Sequence, residues 1–167
     1  HQGAREYRDA IKVYTEFLNR HADHTLAPRT RFLRGFNHNL MNQPIEARAD
    51  FEAFIERYPS HMLYSEARLW RALSFFSERD YTQTLEALDS LASEVKGQRL
   101  EPEVAYRQAA TLYAMRDYEG ALASINQYLE KYTRHSRADE ARVLLGDIQM
   151  GRGELSKARA IFMAIDP

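Results

Sequence analysis

Six histidines, one tryptophan and one close pair of glycines are the residues whose chemistry could carry a function in this chain. His21 and His24 stand three apart, a spacing that suits two metal ligands on one helical turn. No acidic third ligand follows at metal-site spacing, however, and His21 shares its register with Tyr58, Val95 and Tyr132. His38 and His61 have no serine or acid partner recognisable in the sequence, so neither reads as half of a nucleophile–base pair. Gly151-Arg152-Gly153 falls in a turn between two helical patterns, with none of the form of a phosphate-cradling loop. Cysteine is absent, which excludes thiolate chemistry, disulfides and sulfur-bound zinc. These residues imply no catalytic centre, no metal and no cofactor.

Recognition is the better candidate. Trp70 is the only tryptophan. Leu69, Ala72, Leu73 and Phe76 form the inward face of a helix over 65–78, which sets Trp70 roughly 100° to one side. Residues 37 positions away on either side put Leu33 and Arg107 in the same row, with Leu144 after them. One helical turn on come Asn37, Ser74, Thr111 and Ile148. A lone tryptophan flanked by Arg71 and Arg107 suits an anchor for an extended or helical peptide. It equally suits a side chain that covers the joint between neighbouring repeats.

The step of 37 is the organising feature. Ala47, Phe51 and Phe54 form one helical stripe, and it recurs as Ala10/Tyr14/Phe17, Thr84/Leu88/Leu91, Ala121/Ile125/Tyr128 and Ala158/Phe162/Ile165. Five copies at one period predict stacked helical repeats. A second row, Gly35, Ala72, Ala109 and Gly146, is small throughout and is expected to let paired helices approach closely. The pattern gives nine helices. An orphan second helix covers 4–21, and hairpins cover 28–58, 65–93, 102–132 and 139–165. Ser65 and Asp139 are candidate caps, Glu6, Gln43, Asp80, Asp117 and Glu154 open the second helices, and acidic residues elsewhere read as solvated faces. Thr84 is the irregular member of its stripe and marks the joint expected to be altered.

At 167 residues, 44% hydrophobic and 28% charged, the chain can bury a sizeable core. No stretch reaches the roughly 20 apolar residues of a membrane span. A formal net charge of -1 argues against nucleic acid.

The repeat resembles the tetratricopeptide family. Arg116-Asp117-Tyr118-Glu119-Gly120-Ala121-Leu122 is similar to its turn and second-helix core, Leu145-Gly146 to its first-helix pair, and Pro59 to its closing proline. The resemblance implies an all-α, right-handed α-α superhelix of about four and a half repeats, spanning 1–167 as a single solenoid and forming part of a longer array. It also implies a non-enzymatic scaffold whose concave groove, lined by first helices, binds a peptide or helix through Leu33, Asn37, Trp70, Arg71, Ser74, Arg107 and Thr111. A register shifted by one residue would instead present Phe32, Phe36, Leu69, Leu73 and Tyr106. The clamp of lysines and asparagines that holds C-terminal carboxylates in one subclass has no counterpart beyond Asn37. Tyr58-Pro59-Ser60 with Ala67, and Tyr132 with Ser136, Ala138 and Ala141, resemble junctions of bacterial cell-envelope members and point to the periplasm or envelope rather than the cytoplasm. Tyr7, Ile11 and Leu18 on the flank of the first helix suggest self-association through an end of the solenoid. The other readings are an accessory domain of a larger enzyme and a structural spacer.

Overall fold

The fold is taken from a computed structural model that describes residues 2–165, so residues 1, 166 and 167 of the expected span lie outside it. The described residues form helices only: α1 Gln2–Arg20, α2 Ala27–Leu40, α3 Pro44–Arg57, α4 Tyr64–Ser77, α5 Tyr81–Glu94, α6 Glu101–Ala114, α7 Tyr118–Lys131, α8 Ala138–Gly151 and α9 Leu155–Ala164. The chain divides into two compact units between Ala87 and Leu88. That boundary falls inside α5, three residues after Thr84. Consecutive helices pack pairwise within each unit: α1 on α2, α2 on α3 and α3 on α4 in the first, then α6 on α7, α7 on α8 and α8 on α9 in the second.

Each hairpin turn is built the same way. Asn42, Arg79, Arg116 and Gly153, one every 37 residues, all adopt positive φ. The residue after each donates its backbone N–H to a carbonyl five residues back, Gln43 to His38, Asp80 to Phe75, Asp117 to Leu112 and Glu154 to Gln149. This is a left-handed helix cap closed by a six-to-one hydrogen bond. The next helix then starts with an acid where the sequence has one. Asp80 accepts from the Gln83 N–H at 3.1 Å and Asp117 from the Gly120 N–H at 3.0 Å.

The links between hairpins hold a row that composition alone conceals. His24, His61 and His135 recur at multiples of 37, with Gln98 in the third of the four places. The Nδ1 of each histidine accepts the N–H two residues on, from Leu26 at 3.1 Å, Leu63 at 3.0 Å and Arg137 at 3.3 Å. The imidazole thus supplies a first-turn acceptor that the cap residues Leu26, Leu63 and Arg137 lack. Each ring also meets the stripe aromatic before it, Phe17, Phe54 or Tyr128. Gln98 pairs in sequence with the aliphatic Leu91. Ser65 and Asp139 are not caps, because these links bring the helix start to Tyr64 and Ala138.

In the first unit Ala47, Phe51, Phe54 and Ala67 are fully buried together. Phe32 meets Phe51 and Phe54 edge-on at 5.6 and 6.0 Å. In the second, Ala109, Ala121, Ile125, Tyr128, Ala141, Leu144 and Ile148 form the core. The small first-helix row serves the large second-helix row. A Cβ on Gly35 would lie 3.1 Å from the Phe51 ring and from Asp50 Cβ, and one on Gly146 would lie 2.5 Å from the Phe162 ring. Glycine faces phenylalanine in these copies, while Ala109 shares its core with the slimmer Ile125. Thr84 is fully buried, and its hydroxyl donates to the Asp80 carbonyl at 2.8 Å. Leu18 is core rather than exposed flank; on α1 the exposed large apolar residue is Val13.

Candidate functional site

The expected binding residues fall into two sets. Asn37, Ser74 and Thr111 are buried, as is Ile148 in the same row. Each donates to its own helix: Asn37 Nδ2 to the Leu33 carbonyl at 2.7 Å, Ser74 Oγ to the Arg71 carbonyl at 2.6 Å and Thr111 Oγ1 to the Arg107 carbonyl at 2.7 Å. This row is therefore a packing row in which short polar side chains bond their own helices, and it offers a ligand little polar surface. Leu33, Trp70, Arg71 and Arg107 remain partly exposed. The shifted register goes inward: Leu69 and Leu73 are buried, and Tyr106 packs against Tyr128 at 6.0 Å.

In the first unit Trp70 stands edge-on to Phe36, with ring centroids 5.0 Å apart, and seals the joint between α2 and α4. It rests on the Ala47–Phe51–Phe54 core while keeping part of its surface outside. Arg71 donates from Nε to Glu52 at 3.1 Å and its guanidinium lies 5.5 Å from the Phe75 ring. That bridge belongs to a series. Arg34 reaches Thr15 at 3.2 Å, and Gln108 reaches Asp89 at 2.7 Å, both at the same repeat positions as Arg71 and Glu52. A first helix is thereby tied to the second helix before it.

A buried charge cluster lies beside this series, and sequence reading misses it. Asp50 on α3 has a side chain only 4% exposed. Arg34 grips it with two hydrogen bonds, Nε to Oδ2 at 2.8 Å and Nη2 to Oδ1 at 2.5 Å. Arg31 Nη1 is 3.6 Å from Oδ1 and His38 Nε2 4.0 Å from Oδ2. Arg34 also bonds Thr15, whose hydroxyl donates to the Ile11 carbonyl, so one guanidinium joins α1, α2 and α3. The forked geometry matches a carboxylate in two places at once. His38 is engaged through Nδ1 with Gln43 Oε1 at 2.9 Å. The cluster is thus a structural clasp, and Asp50 is the exception to the expectation that acids form solvated faces.

In the second unit Arg107 is held by Glu103 at 2.8 Å, and Glu103 also binds Arg137 at 2.5 Å. The Arg137 guanidinium lies 5.3 Å from the Tyr106 ring. Burial raises the Tyr106 phenol above the usual tyrosine value, with the Glu140 charge adding to it. Asp147 on α8 differs from the other acids here, for it has no hydrogen bond or ion pair among the described residues and burial raises its carboxyl. A carboxyl with a raised folded pKa favours the fold while protonated, and that advantage is lost as pH climbs from the ordinary aspartate value through the raised one. Asp147→Asn should therefore raise the melting midpoint at pH 7, and the gain should vanish as pH falls below the aspartate range. A gain independent of pH would show that the charge is not its cause.

Residues 8–165 match the profile of the tetratricopeptide repeat-like domain. The chain belongs to that family. Tetratricopeptide structures share its fold at low identity. Nearly identical TPR-like repeats described as those of a kinesin light chain from Podosopora anserina are 13% identical, with a TM-score of 0.81 over 99% of this chain and 90% of that one. The apo form of RapI is 14% identical, with a TM-score of 0.80 over 95% of this chain and 48% of the other. MamA from Desulfovibrio magneticus RS-1 is 12% identical, with a TM-score of 0.70 over 99% and 94%. No curated protein matches the chain. Tetratricopeptide arrays typically serve as protein–protein interaction scaffolds, and no helix of the described residues is long and apolar enough to cross a membrane.

Proposed function

We propose that this tetratricopeptide domain is a non-enzymatic scaffold that binds a peptide or helix of a partner protein through its first helices. The observation that carries this is Trp70. A tryptophan set on a two-helix joint, backed edge-on by Phe36 and followed on α4 by Arg71, has the make-up of an interface anchor. Rigid aromatic surface binds at low entropic cost, because packing has already fixed the ring. Arg107 gives the second unit a contact of its own, and Glu103 sets its direction. Asn37, Ser74 and Thr111 support these residues from behind.

The test is affinity capture from lysate of the source cell with wild-type protein, followed by competition with Trp70→Ala. Loss of the anchor should weaken the partner by about 2 kcal/mol or more, roughly thirtyfold, while helicity is unchanged. A verified partner bound equally by Trp70→Ala would remove the first-helix assignment.

A further inference from the structure

The first unit contains a hollow of about 420 Å³ lined by Arg29, Phe32, Leu33, His61, Met62 and Leu63. It lies between the first turns of α2 and the link from α3 to α4. Met62 is 86% exposed at its edge. Arg29 is exposed as well, with no hydrogen-bond or ion-pair partner among the described residues.

The second unit shows what the repeat does at the same place when it closes on itself. The residues 74 positions on, two steps of the repeat, are Glu103, Tyr106, Arg107, His135, Ser136 and Arg137. There Arg137 lays its guanidinium over Tyr106 and donates to Glu103 at 2.5 Å, with Glu103 also held by Arg107. An aromatic floor is covered by a side chain whose charge is met at the rim. In the first unit the floor is Phe32, but the covering residue has become Leu63 and the rim acid has become Arg29. The cover has lost its charge, and the rim charge has changed sign and lost its partner.

We infer that this hollow receives a large apolar side chain of the partner peptide together with a neighbouring carboxylate, the side chain covering Phe32 between Leu33 and Met62 and the carboxylate pairing with Arg29. The inference rests on the scaffold reading, and it names the chemistry of one subsite. The volume is within the range of pockets that enclose small apolar groups, and a flexible methionine adapts to the shape of what enters. The lone rim cation chooses the sign of the charge that accompanies the apolar group.

The probe is N-acetyl-L-leucine, which carries both groups, set against N-acetyl-L-leucinamide, which lacks the carboxylate. Protein labelled with ¹³C at its methionine methyls reports the site, because Met62 is one of five methionines and the only one lining the hollow. The acid should shift the Met62 methyl saturably and leave the other four unmoved. It should bind about two- to fivefold more tightly than the amide, the worth of one exposed ion pair. Arg29→Glu should abolish or invert that preference, and Leu33→Ser should weaken both probes. Equal binding of acid and amide, a preference that survives Arg29→Glu, or the absence of a saturable Met62 shift would each overturn the assignment. A partner that requires Trp70 while Arg29→Glu leaves the acid preference intact would sink the hollow and spare the scaffold.

Discussion

Asp50→Ala is expected to destabilise the first unit by about 3 kcal/mol, at the lower end of the range for breaking a buried ion pair. The lower end applies because Arg31 and Arg34 keep 14% and 18% of their side-chain surface and can partly rehydrate. The loss leaves two guanidiniums facing no anion, and Arg31 Nε is already buried without a hydrogen-bond partner. It also unties α3 from the Arg34–Thr15 bridge to α1. For a chain of this length the melting midpoint should fall by roughly 6–12 °C. Urea unfolding followed by Trp70 fluorescence reads the unit that holds the cluster. A cost below about 1 kcal/mol would place Asp50 among ordinary screened surface pairs.

Gly35→Leu should cost about 3 kcal/mol, near the upper end for overpacking a filled core. The helix-propensity gain over glycine, about 1 kcal/mol, is too small to offset a side chain driven into the Phe51 ring and Asp50 Cβ, each 3.1 Å from the first added carbon. The size rule between facing rows supplies a sharper form. Gly35→Ala with Phe51→Ile copies the pairing of Ala109 with Ile125. The double variant should be more stable than the sum of the single changes by about 0.5–1 kcal/mol. Strict additivity would mean that the two rows do not meet as described.

Helix number, hairpin pairing and the packing stripe were legible because they repeat. Ala47, Phe51 and Phe54 each have counterparts at a fixed step, and a periodic signal survives the ambiguity of any single residue. What repeats less regularly was harder to see. Asp50 has Val13, Ala87, Ser124 and Ile161 as its counterparts, so no row marks it as buried, and an acid on an amphipathic helix ordinarily faces water. The histidine row of the links was readable in principle, since His24, His61 and His135 keep the period. Its physical role depends on a ring nitrogen reaching a backbone N–H two residues on, which spacing does not reveal. Asn37, Ser74 and Thr111 mislead for the opposite reason. Polar residues in a regular row suggest a polar surface, yet each is small enough to satisfy itself on the helix carbonyls and be buried.

Backbone hydrogen exchange of the chain, with and without its captured partner, shows whether the first helices carry the binding. Binding through the first helices should slow exchange in α2 and α4, over 27–40 and 64–77, and leave the exposed turns of α3 and α7 unchanged. Protection confined to α3 and α7, with α2 and α4 exchanging as in the free protein, would rule out binding through the first helices.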